Sequence, residues 1–537
     1  LAARVSPAYK SEMTFMRRSL AAALVLGALA GPALAQVPQR GGTLDFGIVF
    51  EPPTSDCHAG NTFAVLHAVS PHYSTLLKFD LKAYPKVAGD LAESWSVSED
   101  RKTYAFKLKP NVKFHDGSTL TSADVKASYD RLRDPPPGIV SIRKALFSDI
   151  AAIETPDPAT VVFRLGEVNA AMETMFALPW NCIYSAVKLK EDPAFPAKTV
   201  MGTGPFRFVE WVKGSHWVGQ RFEGYHVPGQ PYLDGFRATF IPNPSAMLNA
   251  LQGGAVKAEF RGLTPNERDR LVESLGQKIR SEESSEPTVL LITFNTEKKP
   301  FDDVRVRRAL TMAIDRRTAS EGLYKQSRLK TVGGLMRPGS PFATPEAELE
   351  KFPGFGRDIE AARAEAKRLL KEAGVENLTF VLTNRNNPPY TTTGIYALDQ
   401  WKRIGVNAEH RPVETAAWTQ ALTSGNFDVI VDFGSDVVDE PSLRLAKHIS
   451  TDRSPQNAAR IVDRQLDTLY DRQARESDPA KRAGLVRDFE TRWLSEASSV
   501  PFLWAQRIVV TDTALHGWTM SPSNSLGQDL AEVWLAK

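Results

Sequence analysis

Cys57, His58, His67 and His72 place four soft-metal donors within one short stretch. Thiolate and imidazole would suit a transition metal. Their spacing matches no zinc pattern, so no metal site is expected from them. Patterns for covalent chemistry are missing too: the chain has no G-x-S-x-G elbow, Walker loop, H-E-x-x-H or G-x-G-x-x-G. Gly202-Thr203-Gly204 looks like a phosphate loop, but Pro205 lacks an N–H and Phe206 and Phe208 alternate as a strand, so it reads as a structural turn. No enzyme and no cofactor are expected. The chemistry left for this chain is recognition.

The elements that would position a recognition site are clearest between Val87 and Arg131. Tyr104, Phe106 and Leu108 alternate with Thr103, Ala105, Lys107 and Lys109, the period of a half-buried strand, and Pro110 ends it. Val112 and Phe114 open a shorter strand before an Asp116-Gly117 turn. Thr121, three residues before Asp124, starts a helix through Val125, Tyr129 and Leu132 that Pro135, Pro136 and Pro137 stop. Gly41–Val49, Thr160–Leu165, Leu290–Thr296, Leu378–Leu382 and Phe427–Val431 read as further strands. Helices run through Val306, Leu310 and Ile314 (capped by Asp302 or Asp303), from Asp358 to Gly374, and through Trp401. In the second half strand and helix alternate, which predicts an α/β lobe. A charged helical region precedes Val500–Trp504.

Residues 1–35 read as a leader: Met16-Arg17-Arg18 is a positive start, Leu20–Leu29 an apolar run too short to span a bilayer, and Ala33-Leu34-Ala35 a Sec-type cleavage site before Gln36. The chain is therefore expected to be exported, most simply to the periplasm. The net charge of +3 comes entirely from Arg4, Lys10, Arg17 and Arg18 against Glu12 in that leader. A neutral remainder without a basic stripe argues against nucleic acid and anionic membrane surfaces. Its roughly 500 residues should divide into two or more lobes. Cys57 and Cys182 are the two cysteines, and an even count in an exported protein suggests a disulfide, worth about 4–5 kcal/mol for so long a loop. Two buried free thiols, acting as small hydrophobes, are the alternative.

As a string, Val87–Arg131 resembles the signature region of the bacterial extracellular solute-binding proteins of the dipeptide, oligopeptide and nickel class (family 5), periplasmic receptors of ABC importers. The Gly202–Phe208 turn, the Phe294–Arg316 segment and the Ala364–Gly374 helix follow in the order that family would have them. The resemblance implies a two-lobed α/β periplasmic binding protein of type II (a Venus flytrap) with an extra strand-rich subdomain in the first lobe. The first lobe would hold residues 36–79, the inserted subdomain 80–200, the continuation 201–290 and a return over 501–537. The second lobe would hold 291–500, with crossings near Leu291 and Phe502 forming a hinge. Partners would be a small-molecule or short-peptide ligand and membrane permease subunits, with the receptor itself a monomer.

The site residues also follow from that resemblance. In peptide-binding relatives a Trp-x-x-Asp pattern followed by an acidic-Pro element holds the ligand's α-ammonium. Asp436 aligns with that aspartate, and Glu440-Pro441 follows it. Phe433 stands in place of the tryptophan, and Val437-Val438 in place of a more polar pair. A desolvated countercharge is what an ammonium needs in a closed cleft. Loops the resemblance places at the cleft add Asn61, Phe63, Phe294, Asn295, Asn384, Arg385, Tyr390 and Trp418. Arg385 could clamp a carboxylate and Trp418 wall an apolar cavity. A solvated loop carboxylate, an exposed loop arginine and a core tryptophan are the plain alternatives for Asp436, Arg385 and Trp418. Rival functions are a receptor for a metal chelate or haem, an exported hydrolase, and a chaperone-like binder of unfolded chains.

Overall fold

Alternation builds the first sheet. Leu44, Phe46 and Ile48 are buried along Thr43–Ile48, which runs parallel to Gly235–Phe240. Antiparallel strands His216–Arg221 and Phe206–Val212 complete it. The turn before Phe206 needs glycine: a Cβ on Gly204 would stand 2.5 Å from the Tyr73 nitrogen and 2.7 Å from the Pro71 oxygen. The computed structural model describes residues 37–60 and 62–537, so the leader expected over 1–35 and the candidate Asn61 lie outside the described residues. Among the described residues no helix is long and apolar enough to cross a membrane.

The Val87–Arg131 stretch folds as a sheet with its own core. Thr103–Leu108 pairs with Ala92–Val97 and Thr160–Leu165, and Ile150–Asp157 closes the far edge. Phe163 meets Phe106 and Tyr129 edge-on, at 5.7 and 5.0 Å between centroids. The helix is Ser122–Arg133, and the Thr121 N–H donates to the Asp124 carboxylate at 2.7 Å, completing a capping box. The short strand expected at Val112–Phe114 reduces to one bridge between Lys113 and Thr119, because Pro110 and the Asp116-Gly117 turn leave too few residues for a ladder.

Arg131, the last residue of that stretch, anchors it to the first sheet's loops. Its guanidinium pairs with Asp56 at 2.5 Å, both side chains nearly inaccessible. Asp56 also accepts from the Tyr184 hydroxyl and the His58 backbone N–H, each at 3.0 Å. Beside it Cys57 and Cys182 are joined in a disulfide, Cα–Cα 6.1 Å, across a separation of 125 residues.

The largest sheet has six strands in the order Leu329–Thr331, Ser499–Asp512, Ile279–Phe294, Val429–Ser435, Thr379–Arg385, Asn407–Val413. Two of these outgrow expectation. The strand expected at Leu290–Thr296 is the end of the 16-residue Ile279–Phe294, and Val500–Trp504 lies within the 14-residue Ser499–Asp512. They pair antiparallel from Ile279–Asp512 to Thr293–Ser499, with register breaks between Ser285 and Val289 and between Val289 and Leu291. The first half of Ile279–Phe294 is largely exposed and carries Arg280, Glu282 and Glu283, so it shows no apolar alternation. The partner strand, not the local pattern, makes it extended. Helices Val304–Met312, Ile359–Glu372 and Tyr390–Lys402 pack on the sheet's core.

Candidate functional site

Three parallel strand ends converge at one edge of the large sheet. Thr379–Arg385 lies between Asn407–Val413 and Val429–Ser435, parallel to both. Chain leaving the carboxyl ends of such strands is where ligands meet open α/β sheets. The first end carries Arg385 and leads to Tyr390; the second leads into helix Thr415–Ser424 and Trp418; the third carries Phe433 and leads to Asp436.

The rings assemble into a wall. Trp418 and Phe433 stack with centroids 6.0 Å apart and planes 26° apart. Tyr390 meets them edge-on, at 5.9 and 6.2 Å. The Trp418 indole N–H donates to the Val431 carbonyl at 3.0 Å, which fixes its plane. Arg385 lies over Tyr390 at 5.0 Å and Trp418 at 5.5 Å and donates to Thr415 Oγ1 at 3.2 Å. Against Trp418 and Phe433 opens a cavity of about 380 Å³, also lined by Asp432, Asp436, Arg444 and Lys447.

The charges there are not equivalent. Asp432 pairs with Lys447 at 2.7 Å. Asp436 Oδ2 meets Arg444 Nε at 2.6 Å, and Arg444 also donates to the Pro287 carbonyl at 2.9 Å. Asp436 Oδ1 has no hydrogen-bond partner among the described residues. Burial holds the Asp436 carboxyl above the usual carboxylate range; Asp439 and Glu440 add to that, and Arg444 and Lys447 oppose it. The neighbouring acids are engaged elsewhere. Arg337 grips Asp439 through Nε and Nη2, the latter at 2.6 Å, while Glu440 pairs with Arg482 and caps helix Pro441–Ala446.

This geometry meets a clear family match. Residues 86–450 match the profile of the bacterial extracellular solute-binding proteins, family 5 middle. A predicted ABC transporter peptide-binding protein of Brucella ovis is 27% identical over 490 residues, spanning 86% of this chain and 88% of that one. The glutathione-binding protein GsiB of Shigella dysenteriae is 25% identical over 468 residues, spanning 85% and 88%. The periplasmic binding protein DppA of Helicobacter pylori, solved with the peptide STSA, superposes with a TM-score of 0.76 at 22% identity, covering 93% of this chain and 99% of that one. The chain belongs to family 5 of the bacterial extracellular solute-binding proteins. It is the solute-binding component of an ABC importer, with the two-lobed type II fold.

Within this family 5 receptor the expected site residues separate. Arg385, Tyr390, Trp418, Phe433 and Asp436 come together as described. Phe63 stands apart, beside Phe50 at 5.9 Å. Phe294 is fully buried, stacked on Phe301, and Asn295 is nearly so, its amide donating to the Gly425 and Phe427 carbonyls. Register sets them apart from the cavity beside Asp436. Phe294 pairs with Val429, the first residue of the strand whose last is Ser435, so about 20 Å of strand separates them from the cavity edge. Asn384 is also buried, bonded to the Arg385 carbonyl and the His410 ring, and faces away from solvent.

Asp432, Arg444 and Lys447 were not anticipated. Their signal was present: Glu440-Pro441 opens a helix that carries Arg444, and Lys447 is its C-cap. The histidines near Cys57 scatter into separate structural roles. His58 bonds the Cys182 carbonyl, His67 the Asn524 carbonyl, and His72 the Phe206 carbonyl and the Trp217 indole.

Proposed function

We propose that this receptor captures a short peptide or another amine-bearing solute in the cavity beside Asp436, and that closure of two lobes traps it. One observation carries the reading: Asp436 is a largely buried carboxylate, only partly neutralised by Arg444, on a cavity walled by Trp418 and Phe433. An ammonium entering there replaces lost hydration with a countercharge, and the rings shelter the rest of the solute from water. The names of the Brucella, Shigella and Helicobacter relatives point to the same class of solute.

The lobes in this reading are residues 36–290 with the return over 501–537, and residues 291–500, the strand-rich subdomain belonging to the first. The Ile279–Phe294 and Ser499–Asp512 ribbon is the crossing between them, and its register breaks supply a place to bend. Solute that contacts both lobes stabilises the closed state and shifts the population towards it. Micromolar affinity corresponds to about −8 kcal/mol. The receptor acts as an exported monomer, cleaved between Ala35 and Gln36. It hands the solute to permease subunits and carries out no covalent chemistry.

The test is mass spectrometry of what co-purifies with the protein and is released by gentle denaturation. An amine-bearing peptide is the expected result. A metal chelate, haem or a solute without an amine would overturn the assignment.

A further inference from the structure

A second group of charges gathers where the Phe260-Arg261-Gly262 segment meets the crossing ribbon. Bridges from Glu259 to Gly47 and from Ala258 to Thr511 hold the segment there. Two members of the group are fully engaged. The Glu259 carboxylate accepts the backbone N–H groups of Arg261 and Gly262, both at 2.8 Å. Arg507, fully buried, donates to the carbonyls of Ser521 at 2.7 Å, Ser523 at 3.1 Å, Arg261 at 3.2 Å, and Phe260.

The other three are not. Glu286, which falls at the register break, lies 3.4 Å from Arg328, yet Glu286 Oε2 and Arg328 Nη1 are both buried without a hydrogen-bond partner. Such atoms are costly unless something completes them. Arg261 pairs with no carboxylate among the described residues. Its guanidinium lies over Phe63 at 4.5 Å and over the half-exposed Phe50 at 5.7 Å. Arg328 is close to the same segment: a Cβ on Gly262, whose φ is +138°, would stand 3.1 Å from Arg328 Nη1. Burial, and next the charge of Arg328, make Arg261 less ready to hold its proton than an ordinary arginine. Arg328 thus lies close to the Arg261-Gly262 backbone, and among the described residues only Glu259, held by backbone N–H groups, and Glu286, beside Arg328, oppose the two positive charges.

We propose that Arg261 and Arg328 form an anion subsite that receives a carboxylate of the bound solute. The inference rests on the amine-bearing solute reading above and supplies that solute's second charge. Arg261 precedes the strand Ile279–Phe294 and Arg328 follows it, so in the proposed lobe division a carboxylate bridging them contacts both lobes and favours closure. The planar guanidinium suits a carboxylate, and the Phe50 and Phe63 faces keep it in place.

The probe is a short-peptide casein hydrolysate, compared with the same hydrolysate after methyl esterification, with retention by the full chain measured by equilibrium dialysis and mass spectrometry. Wild type is expected to retain free-acid peptides at least tenfold better than their esters. Arg261→Gln and Arg328→Gln should each erase that preference. Glu286→Gln, which frees Arg328, should widen the preference, an effect that loss of structure would not produce. If one arginine variant fails to fold by circular dichroism, the other and Glu286→Gln decide the matter. Equal retention of acids and esters by wild type would overturn the subsite while leaving the amine reading standing. So would a preference abolished by Arg385→Gln and untouched by Arg261→Gln and Arg328→Gln. Retention of neither form would overturn the peptide reading, and the subsite with it.

Discussion

Asp56 and Asp436 both lean on an arginine, at 2.5 and 2.6 Å, yet their surroundings move them in opposite directions. Burial pushes Asp56 up, but the Arg131 guanidinium and the Tyr184 hydroxyl outweigh it and hold its carboxyl below the usual range. Arg131 contacts both Asp56 oxygens, at 3.2 and 2.5 Å, and further bonds come from Tyr184 and the His58 backbone. Asp436 has one arginine contact, two acidic neighbours and a cavity, and burial wins. Folding therefore favours the charged form of Asp56 and penalises that of Asp436. A completed network holds structure together; an incomplete one facing a cavity has room for a ligand's charge.

The contrast can be broken at several points. The largest effect is expected from replacing both Cys57 and Cys182 by serine: about 4–5 kcal/mol of stability by denaturant titration, from the freed loop, with solute affinity unchanged. Asp56→Asn should cost about 3–5 kcal/mol, because Arg131 would stay buried without its countercharge. Affinity loss at constant stability would instead make Asp56 part of the site. Trp418→Ala should weaken solute binding about tenfold in calorimetry, roughly 1.4 kcal/mol, by opening the aromatic wall.

Acid should sharpen the comparison most gently. Burial pushes His58, His67 and His72 each down to about 3, so they fold neutral. Their stability contribution is complete above the ordinary histidine value near 6.5 and is lost as pH falls from there towards 3. The melting temperature should decline across that window. Asp436 takes up its proton above the ordinary 3.8, so amine affinity should fall with acid earlier than an exposed aspartate would dictate.

Much of the scaffold was legible because local rules and tertiary pairing agree there. Tyr104, Phe106 and Leu108 alternate into a buried face, and Thr121 and Asp124 cap the following helix. Legibility failed where a partner strand supplied the order, as along Arg280, Glu282 and Glu283. Around the candidate cavity, Tyr390, Trp418 and Asp436 could be read as neighbours because each follows a strand end, and Phe433 because it lies near the end of Val429–Ser435. Phe294 and Asn295 could not, because the register of Phe294 against Val429 was not visible in one strand alone. Arg444 and Lys447 escaped notice since their carboxylate partners, Asp436 just past the strand Val429–Ser435 and Asp432 within it, are brought to them by packing rather than by spacing.

The most direct measurement is calorimetric affinity of Asp436→Asn for the solute that co-purifies with wild type, alongside its unfolding free energy. Asparagine keeps an acceptor for Arg444 and removes the penalised charge, so stability should hold or rise slightly. Affinity should fall by at least about thirtyfold, roughly 2 kcal/mol. Unchanged affinity would contradict the account.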